Sequence, residues 1–205
     1  LCNLKELLIK LKYFKKVLKI KKKITTFSNL VGWKIDNFKI SDTKKKFFSI
    51  FFLKVNATRR EVKNWDQPFL SDHSMSINCF MTSKINNTIH YLLKVTHEPG
   101  FNYPKFTSTI SEKNFSIKRL RKSKFFKFLK EKNRLLDSIY SDEGGRFFRN
   151  ETRNIICKLD HFNSLKYEND YIWASHNQII ELINKDKITI EARNLFAIYN
   201  IDKIK

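Results

Sequence analysis

Apolar residues recur at three- and four-residue steps near the start of the chain. Leu4, Leu7, Leu8, Leu11, Phe14, Val17 and Leu18 are separated by lysines as far as Lys23, which predicts an amphipathic helix with a basic polar face. Such a helix suits a membrane surface or packs its leucine face on the domain or a partner subunit; the second reading is favoured as the more ordinary use. The run FFSIFFLKV over 47–55 predicts a buried strand ending before Asn56. Strands are also predicted at Ile77–Met81 and Ile89–Thr96, joined into a hairpin by the turn chemistry of Asn86-Asn87. Helical spacing with a basic face covers Ser123–Asn133, and short strands follow at Leu135–Ile139 and Ile155–Leu159. The period then changes: Ser175 is placed to cap a helix over His176–Asn184, and a second helix spans Ile190–Asn200. Strands come first and helices are grouped late, so the class is α+β rather than a repeating βαβ series, and no internal repeat is evident.

Length and composition support one packed domain. The 205 residues are 41% hydrophobic and 14% aromatic, enough for a core and unlike a chain disordered throughout. The formal charge of +21 taken alone points to an anionic partner. Its distribution weakens that reading. Residues 1–60 hold 17 basic and 3 acidic side chains, net +14, and the other 145 hold 24 and 17, net +7. The excess therefore belongs mainly to the N-terminal part, and the organisation reads as a basic helical extension over 1–30 followed by one domain over 31–205. Richness in Lys, Asn, Ile and Phe also fits drift toward AT-rich codons, which needs no polyanion. Cys2, Cys79 and Cys157 are odd in number and widely spaced, without the pairing pattern of a disulfide framework or a zinc site. A reducing cytoplasm is the expected compartment. No apolar run is long enough to span a bilayer, and lysines interrupt the N-terminus too often for a secretory signal. The chain begins at Leu, as a piece of a longer polypeptide would.

The chain has four glycines, and two of them stand together in SDEGGRFF, Ser141 to Phe148. Residues that use Gly so sparingly imply a place where a side chain would obstruct, hence a ligand-approach loop. Thr152-Arg153-Asn154 follows, and Arg60-Glu61-Val62 with Trp65, Gln67 and Pro68 precedes. REVKNWDQPFL, IHYLLKV followed by EPG, LLDSIYSDEGGRFF, TRN, YIWASHNQIIELI and IEARNLFAI stand in this order. Together, over roughly Trp33 to Asn200, they resemble the NDP-hexose 2,3-dehydratases of deoxysugar biosynthesis. That resemblance implies a Nudix-like mixed sheet flanked by helices. The family carries two tandem copies of this domain, and the chain is similar to one copy, closer to the C-terminal one.

The implied substrate is a nucleotide-linked 4-keto-6-deoxyhexose. Its ketone acidifies the C3 proton; a base removes that proton, donors stabilise the enolate, and an acid assists loss of the C2 hydroxyl. No redox cofactor or metal is required, and none is expected. The catalytic candidates are His90, Glu98 and Glu143. His90 alternates along its strand with Ile89 and Tyr91 and could exchange protons near neutrality, or could be a hydrogen-bonded histidine inside the hairpin. Glu98, in His97-Glu98-Pro99-Gly100, stands at a turn that could hold a carboxylate at a cavity rim, although most such glutamates are solvated. The Asp142-Glu143 pair could separate into acid and base roles through like-charge proximity, or Arg146 could neutralise it.

Substrate contacts are expected from Trp65, Gln67, Thr109, Asn114, Ser141, Gly144, Gly145, Arg146, Arg153, Asn154 and Arg193. The two glycines would let backbone N–H groups approach a diphosphate or enolate oxygen, with Arg146 or Arg153 gripping phosphate in bidentate fashion. Trp65 with Asp66, Gln67 and Pro68 reads as a rigid polar-aromatic corner, the indole stacking on thymine or covering the core edge. Arg193 either reaches inward or lies along the surface. Three departures from the family pattern stand out. Ser108-Thr109-Ile110-Ser111 replaces Pro-Thr-Val-Gln, Tyr140-Ser141-Asp142 replaces Gln-Ser-Glu, and Phe101 intervenes between the EPG turn and Asn102. Each lost amide removes a hydrogen bond worth on the order of 1 kcal/mol. The readings are therefore three: a 2,3-dehydratase domain acting alone or as a homodimer, a catalytically impaired copy that binds nucleotide sugar or supplies a dimer surface, and a basic RNA-associated protein. The last would need basic residues interleaved with aromatics along the whole chain, and RRM, KH and OB signatures are missing. The Nudix hydrolase carboxylate signature has no match, which disfavours metal-dependent diphosphate hydrolysis.

Overall fold

The computed structural model describes residues 2–44, 48–113, 123–129, 131–141, 143–162 and 167–201. Two sheets organise them. β1 (Trp33–Ile35), β2 (Lys39–Asp42), β3 (Phe48–Asn56) and β4 (Asn64–Asp72) form an antiparallel four-stranded sheet in sequence order. The larger, seven-stranded sheet is mixed. Its strands are β5 (Ser76–Ile85), β6 (Thr88–Thr96), β7 (Lys105–Thr107), β8 (Ile110–Glu112), β9 (Arg134–Ser141), β10 (Glu151–Leu159) and β11 (Tyr171–Ser175). The order is β11-β6-β5-β10-β9, with β10 parallel to β5 and its other pairings antiparallel. β5 and β6 are paired over Thr82–Ile85 and then part; β7 continues against β6, and β8 against β5, filling the fork. Helices α1 (Leu4–Val17), α2 (His176–Asn184) and α3 (Ile190–Ile201) complete the described structure. None of the described helices is long and apolar enough to cross a membrane.

Strand alternation sorts the core into two halves. Phe80, Tyr91, Leu93, Val95, Phe106 and Ile156 point to one face of the large sheet, where the three helices cover them. Cys79, Met81, Leu92, Ile110, Ile155 and Trp173 point to the other, where Phe125 and Leu129 cover them. The helix expected at the head of an N-terminal extension belongs to the first half: Leu7, Leu11 and Phe14 are buried in it while Lys5, Lys12, Lys15 and Lys16 face out. Asn3 and Glu6 form a reciprocal capping box at its start. It ends at Val17 rather than continuing to Lys23. Beyond Leu18, whose carbonyl accepts from His97 Nδ1 at 2.8 Å, the lysines leave nothing to bury.

The Asn86-Asn87 hairpin forms as expected, with both residues at positive φ (46° and 62°), the geometry of a two-residue type I′ turn. Ser175 caps α2 in a second capping box with Gln178. Three expectations are corrected. The 47–55 run does form a strand, from Phe48, but none of its described residues is fully buried: Phe48 to Phe51, Leu53 and Val55 are half-buried, and Phe52 and Lys54 are exposed. Ser123–Asn133 makes two 3-10 turns, Phe126–Phe128 and Glu131–Asn133, instead of an α-helix. β9 begins at Arg134 directly after them, and Arg134 Nε binds the Leu129 carbonyl at 2.9 Å. Trp65 to Pro68 is no corner but the middle of β4, an edge strand of its sheet and so able to accommodate Pro68.

Candidate functional site

Along β5 and β10 the helix-covered face changes character. Phe80 beside Ile156 is apolar, but the next cross-strand row is Ser111, Asn78, Asn154 and Ser138, and the one after is Ser76, Thr152 and Tyr140. Directly paired residues share a face, so these side chains form a polar floor spanning β8, β5, β10 and β9. Over it lies α3, whose Ile190, Glu191, Asn194 and Ile198 recur at helical spacing on one side. The space between is a cleft of about 260 Å³. Asp72 at the end of β4, Glu143 and Phe147 also line it, as do Glu112, the last residue of β8, and Lys113 after it.

Asn78 and Asn154 are the best-buried polar groups of the floor. Asn78 Oδ1 accepts from Ser108 Oγ at 2.8 Å, and Asn154 Nδ2 donates to the Thr152 carbonyl at 3.0 Å, so both amides are held in place. Glu98 lies within electrostatic reach of the lining residues Glu191 and Lys113. Burial raises its carboxyl above the ordinary glutamate value, Glu191 pushes the same way, and Lys113 opposes them. Among the described residues no group of three or more His, Cys, Asp or Glu side chains converges to hold a metal ion.

Of the residues expected from the sequence, Ser141, Glu143 and Asn154 line this cleft. Arg153 does not, because strand alternation turns it to the opposite face, where its guanidinium holds Asp137 through Nε at 2.7 Å and Nη2 at 2.8 Å. Those bonds, with Arg134 adding to them, keep the Asp137 carboxyl below its usual range. Thr109 is buried in the fork: its hydroxyl accepts from the Met81 amide at 2.9 Å and donates to the Leu92 carbonyl at 2.5 Å, pairing backbone groups where β5 and β6 separate.

His90 also lies elsewhere. It shares the second core face with Leu92, pairs with Ser83 and Ser175, and donates from Nδ1 to the Thr88 carbonyl at 3.1 Å. Seven residues of β5 separate Ser83 from Ser76, roughly 23 Å of strand. Arg193 is on the exposed side of α3. Trp65 and Gln67 reach the double-glycine turn from outside the cleft: Trp65 Nε1 donates to Gln67 Oε1 at 2.9 Å, and Gln67 Nε2 donates to the Gly145 carbonyl. Arg146 is largely exposed, 3.9 Å from Glu143.

The glycines themselves are a correction. Neither Gly144 nor Gly145 has positive φ, a Cβ on Gly144 would meet nothing within 4 Å, and one on Gly145 would meet only Glu143 Oε1 at 3.6 Å. The turn is closed by the Glu143 carbonyl accepting from the Arg146 and Phe147 amides, a geometry open to other residues. Asn114 and Asp142 lie outside the described residues. Sequence reasoning missed Asn78, Ser76, Asp72, Glu191 and Asn194. For Asn78 and Ser76 a signal existed: two polar residues alternating just before the apolar run Cys79–Met81 of β5, which register places beside Asn154 and Thr152.

The family model described as NDP-hexose 2,3-dehydratase matches residues 5–199. Among curated proteins, the dTDP-4-dehydro-6-deoxy-alpha-D-glucopyranose 2,3-dehydratase of Saccharopolyspora spinosa is 24% identical over 178 residues, 83% of this chain and 37% of that protein. Its namesake from Streptomyces violaceoruber is 26% identical, covering 83% and 40%, and that of Amycolatopsis orientalis 23%, covering 84% and 38%. The chain thus spans less than half the length of these relatives. Among solved structures, the Ap4A hydrolase of C. elegans aligns with a TM-score of 0.41 at 11% identity, over 64% of this chain and 98% of that one. By the extent of the family match, the chain belongs to the NDP-hexose 2,3-dehydratase family.

Proposed function

We propose that the cleft beneath α3 takes the hexosyl end of a nucleotide-linked 4-keto-6-deoxyhexose and that the domain serves its 2,3-dehydration in the cytoplasm, paired with a second copy of itself. The observation that carries this reading is the polar floor. Two cross-strand rows of amides and hydroxyls, walled by carboxylates and by Phe147, Ile190 and Ile198, match the hydroxyls and the apolar patches of a deoxysugar. Charge supports an orientation of the ligand. Asp72, Glu112, Glu143 and Glu191 line the cleft, and Lys113 is the one lining cation among the described residues, so in this reading the uncharged sugar lies inside and the diphosphate at the mouth beside Lys113.

In this reading Glu143 removes the C3 proton, and the Asn78 and Asn154 amides face the enolate oxygen. Glu98 is not itself a lining residue, but it stands within electrostatic reach of the lining Glu191 and Lys113, and in this reading its carboxyl, raised by burial, is the acid for the departing C2 hydroxyl. The C3 proton stays on Glu143, the electron pair it leaves forms the C2=C3 bond as the C2–O bond breaks, the hydroxyl departs as water with the Glu98 proton, and exchange with solvent resets the two carboxyls. His90 has no part at this distance. A second reading, binding without turnover, is favoured by one observation. Ser111 and Tyr140, which stand where the family resemblance implies amides, both line the cleft, so the hydrogen-bonding set is reduced where substrate would lie.

Incubation with dTDP-4-keto-6-deoxyglucose tests both. Loss of one water by mass spectrometry is expected if the domain turns over, and thermal stabilisation without product selects binding. Asn154→Ala should weaken either response by about fivefold or more, the worth of one hydrogen bond. Arg153→Lys should leave ligand affinity intact. Equal loss in both variants contradicts the assigned floor.

A further inference from the structure

The small sheet is poorly buried for its size. Phe69 is its one buried apolar side chain among the described residues, and a four-stranded sheet with so little cover is not stable by itself. Every described large apolar side chain at least 60% exposed lies between residues 24 and 62: Ile24, Phe27, Val31, Phe38, Phe52 and Val62. Of these Phe52 lies within a strand of the sheet, and the register shows which apolar residues share its face. Ile35 pairs with Ile40, Ile40 with Ile50, and Ile50 with Leu70, a row of aliphatics crossing all four strands on one face. Phe52 and Pro68 form the next row on that face, and Lys54 and Asp66 the one after. The opposite face is turned to the body, with Phe51 and Phe69 against Phe148.

We propose that this outer face, centred on Ile35, Ile50 and Phe52, is a two-fold docking surface for a second copy of the chain. It deepens the pairing offered above by assigning the surface that makes it. β3 and β4, nine residues each, give a face about 30 Å long and about 10 Å wide, which β1 and β2 widen to about 20 Å over three or four residues. That strand area, roughly 400 Å², with the flanking Phe38 and Val31 lies at the lower, transient end of protein interfaces rather than at the roughly 800 Å² per partner of a standard one. An apolar centre bordered by both charge signs, Lys54 beside Asp66, can oppose itself across a two-fold axis. Two such faces stack as sheets do in a sandwich. Phe147 pairs with Leu70 at the edge of this face and also lines the cleft, so the seated copy stands beside the cleft mouth.

Sedimentation velocity over a wide concentration range reads the surface directly, using the full chain and the Phe52→Asp and Ile35→Asp variants. Both positions are exposed, at 66% and 50%, so the folded chain should tolerate them; far-ultraviolet circular dichroism checks that. The wild type is expected to dimerise and each variant to do so on the order of a hundredfold more weakly, while Ile180→Asp, on the exposed side of α2, leaves the dimer unchanged. A dimer that survives both aspartates overturns this surface and keeps the pairing. A wild type monomeric throughout overturns both, and leaves the sugar-nucleotide reading to the thermal-shift assay. Binding of the wild type to phosphatidylglycerol vesicles, lost in Phe52→Asp and without a dimer, would assign the face to lipid and sink the proposal.

Discussion

Asn154 and Arg153 are neighbours in sequence and strangers in space. One residue of strand separates an amide in the cleft floor from a guanidinium tied to Asp137 on the far face of the sheet. A motif read as a string assigns both to the ligand; alternation allows one. Glu98 offers a residue-scale prediction with a definite sign. Its carboxyl is raised by burial and by Glu191, so the ionised form costs stability in the fold above its folded pKa, and the cost vanishes once pH falls below the ordinary glutamate value. Glu98→Gln should therefore unfold at higher temperature than the wild type near neutrality, and the gap should close as pH falls through the carboxylate range. A variant less stable at neutral pH would contradict the assigned burial. Asp137 has the opposite sign: its contribution, held by Arg153, is present above the ordinary aspartate value and is lost as acid titrates it.

Among the elements, those defined by local chemistry were the legible ones. Ser175 with its capping partner Gln178, the Asn86-Asn87 turn and the leucine spacing of α1 each carry their instruction within a few residues. What α1 packs against could not be read so near. Its role as a core element depends on Phe80, Tyr91, Phe196 and other residues far along the chain. Leu7→Ala, at a fully buried position, should cost about 2–5 kcal/mol in chemical denaturation. A loss well below 1 kcal/mol would mean the helix is only loosely attached. The Phe-rich run of β3 misled for the complementary reason. Aromatic content usually signals burial, but here Phe51 packs on Phe148 while Phe52, one residue on, is 66% exposed.

At the scale of the whole molecule, the cleft was only partly legible because its floor is assembled by pairing strands distant in sequence. Asn78 and Asn154 meet only because β10 lies parallel to β5, a contact no local pattern announces. The unequal cover of the two sheets predicts unequal opening. Amides of β5, β6 and β10 should exchange with solvent far more slowly than those of β1 to β4 when the protein is dilute, by hydrogen-exchange mass spectrometry. Uniform protection across both sheets would contradict that.

The parallel seam has a further consequence during synthesis. When β8 has left the ribosome, one edge of β5 is already satisfied by β6 and β8, while the other waits for a strand about 40 residues further along. Until Glu151–Leu159 emerges, that edge is an open template for any extended peptide nearby. Translation stalled in that interval should yield a nascent chain that recruits chaperones, and release past residue 159 should end the dependence.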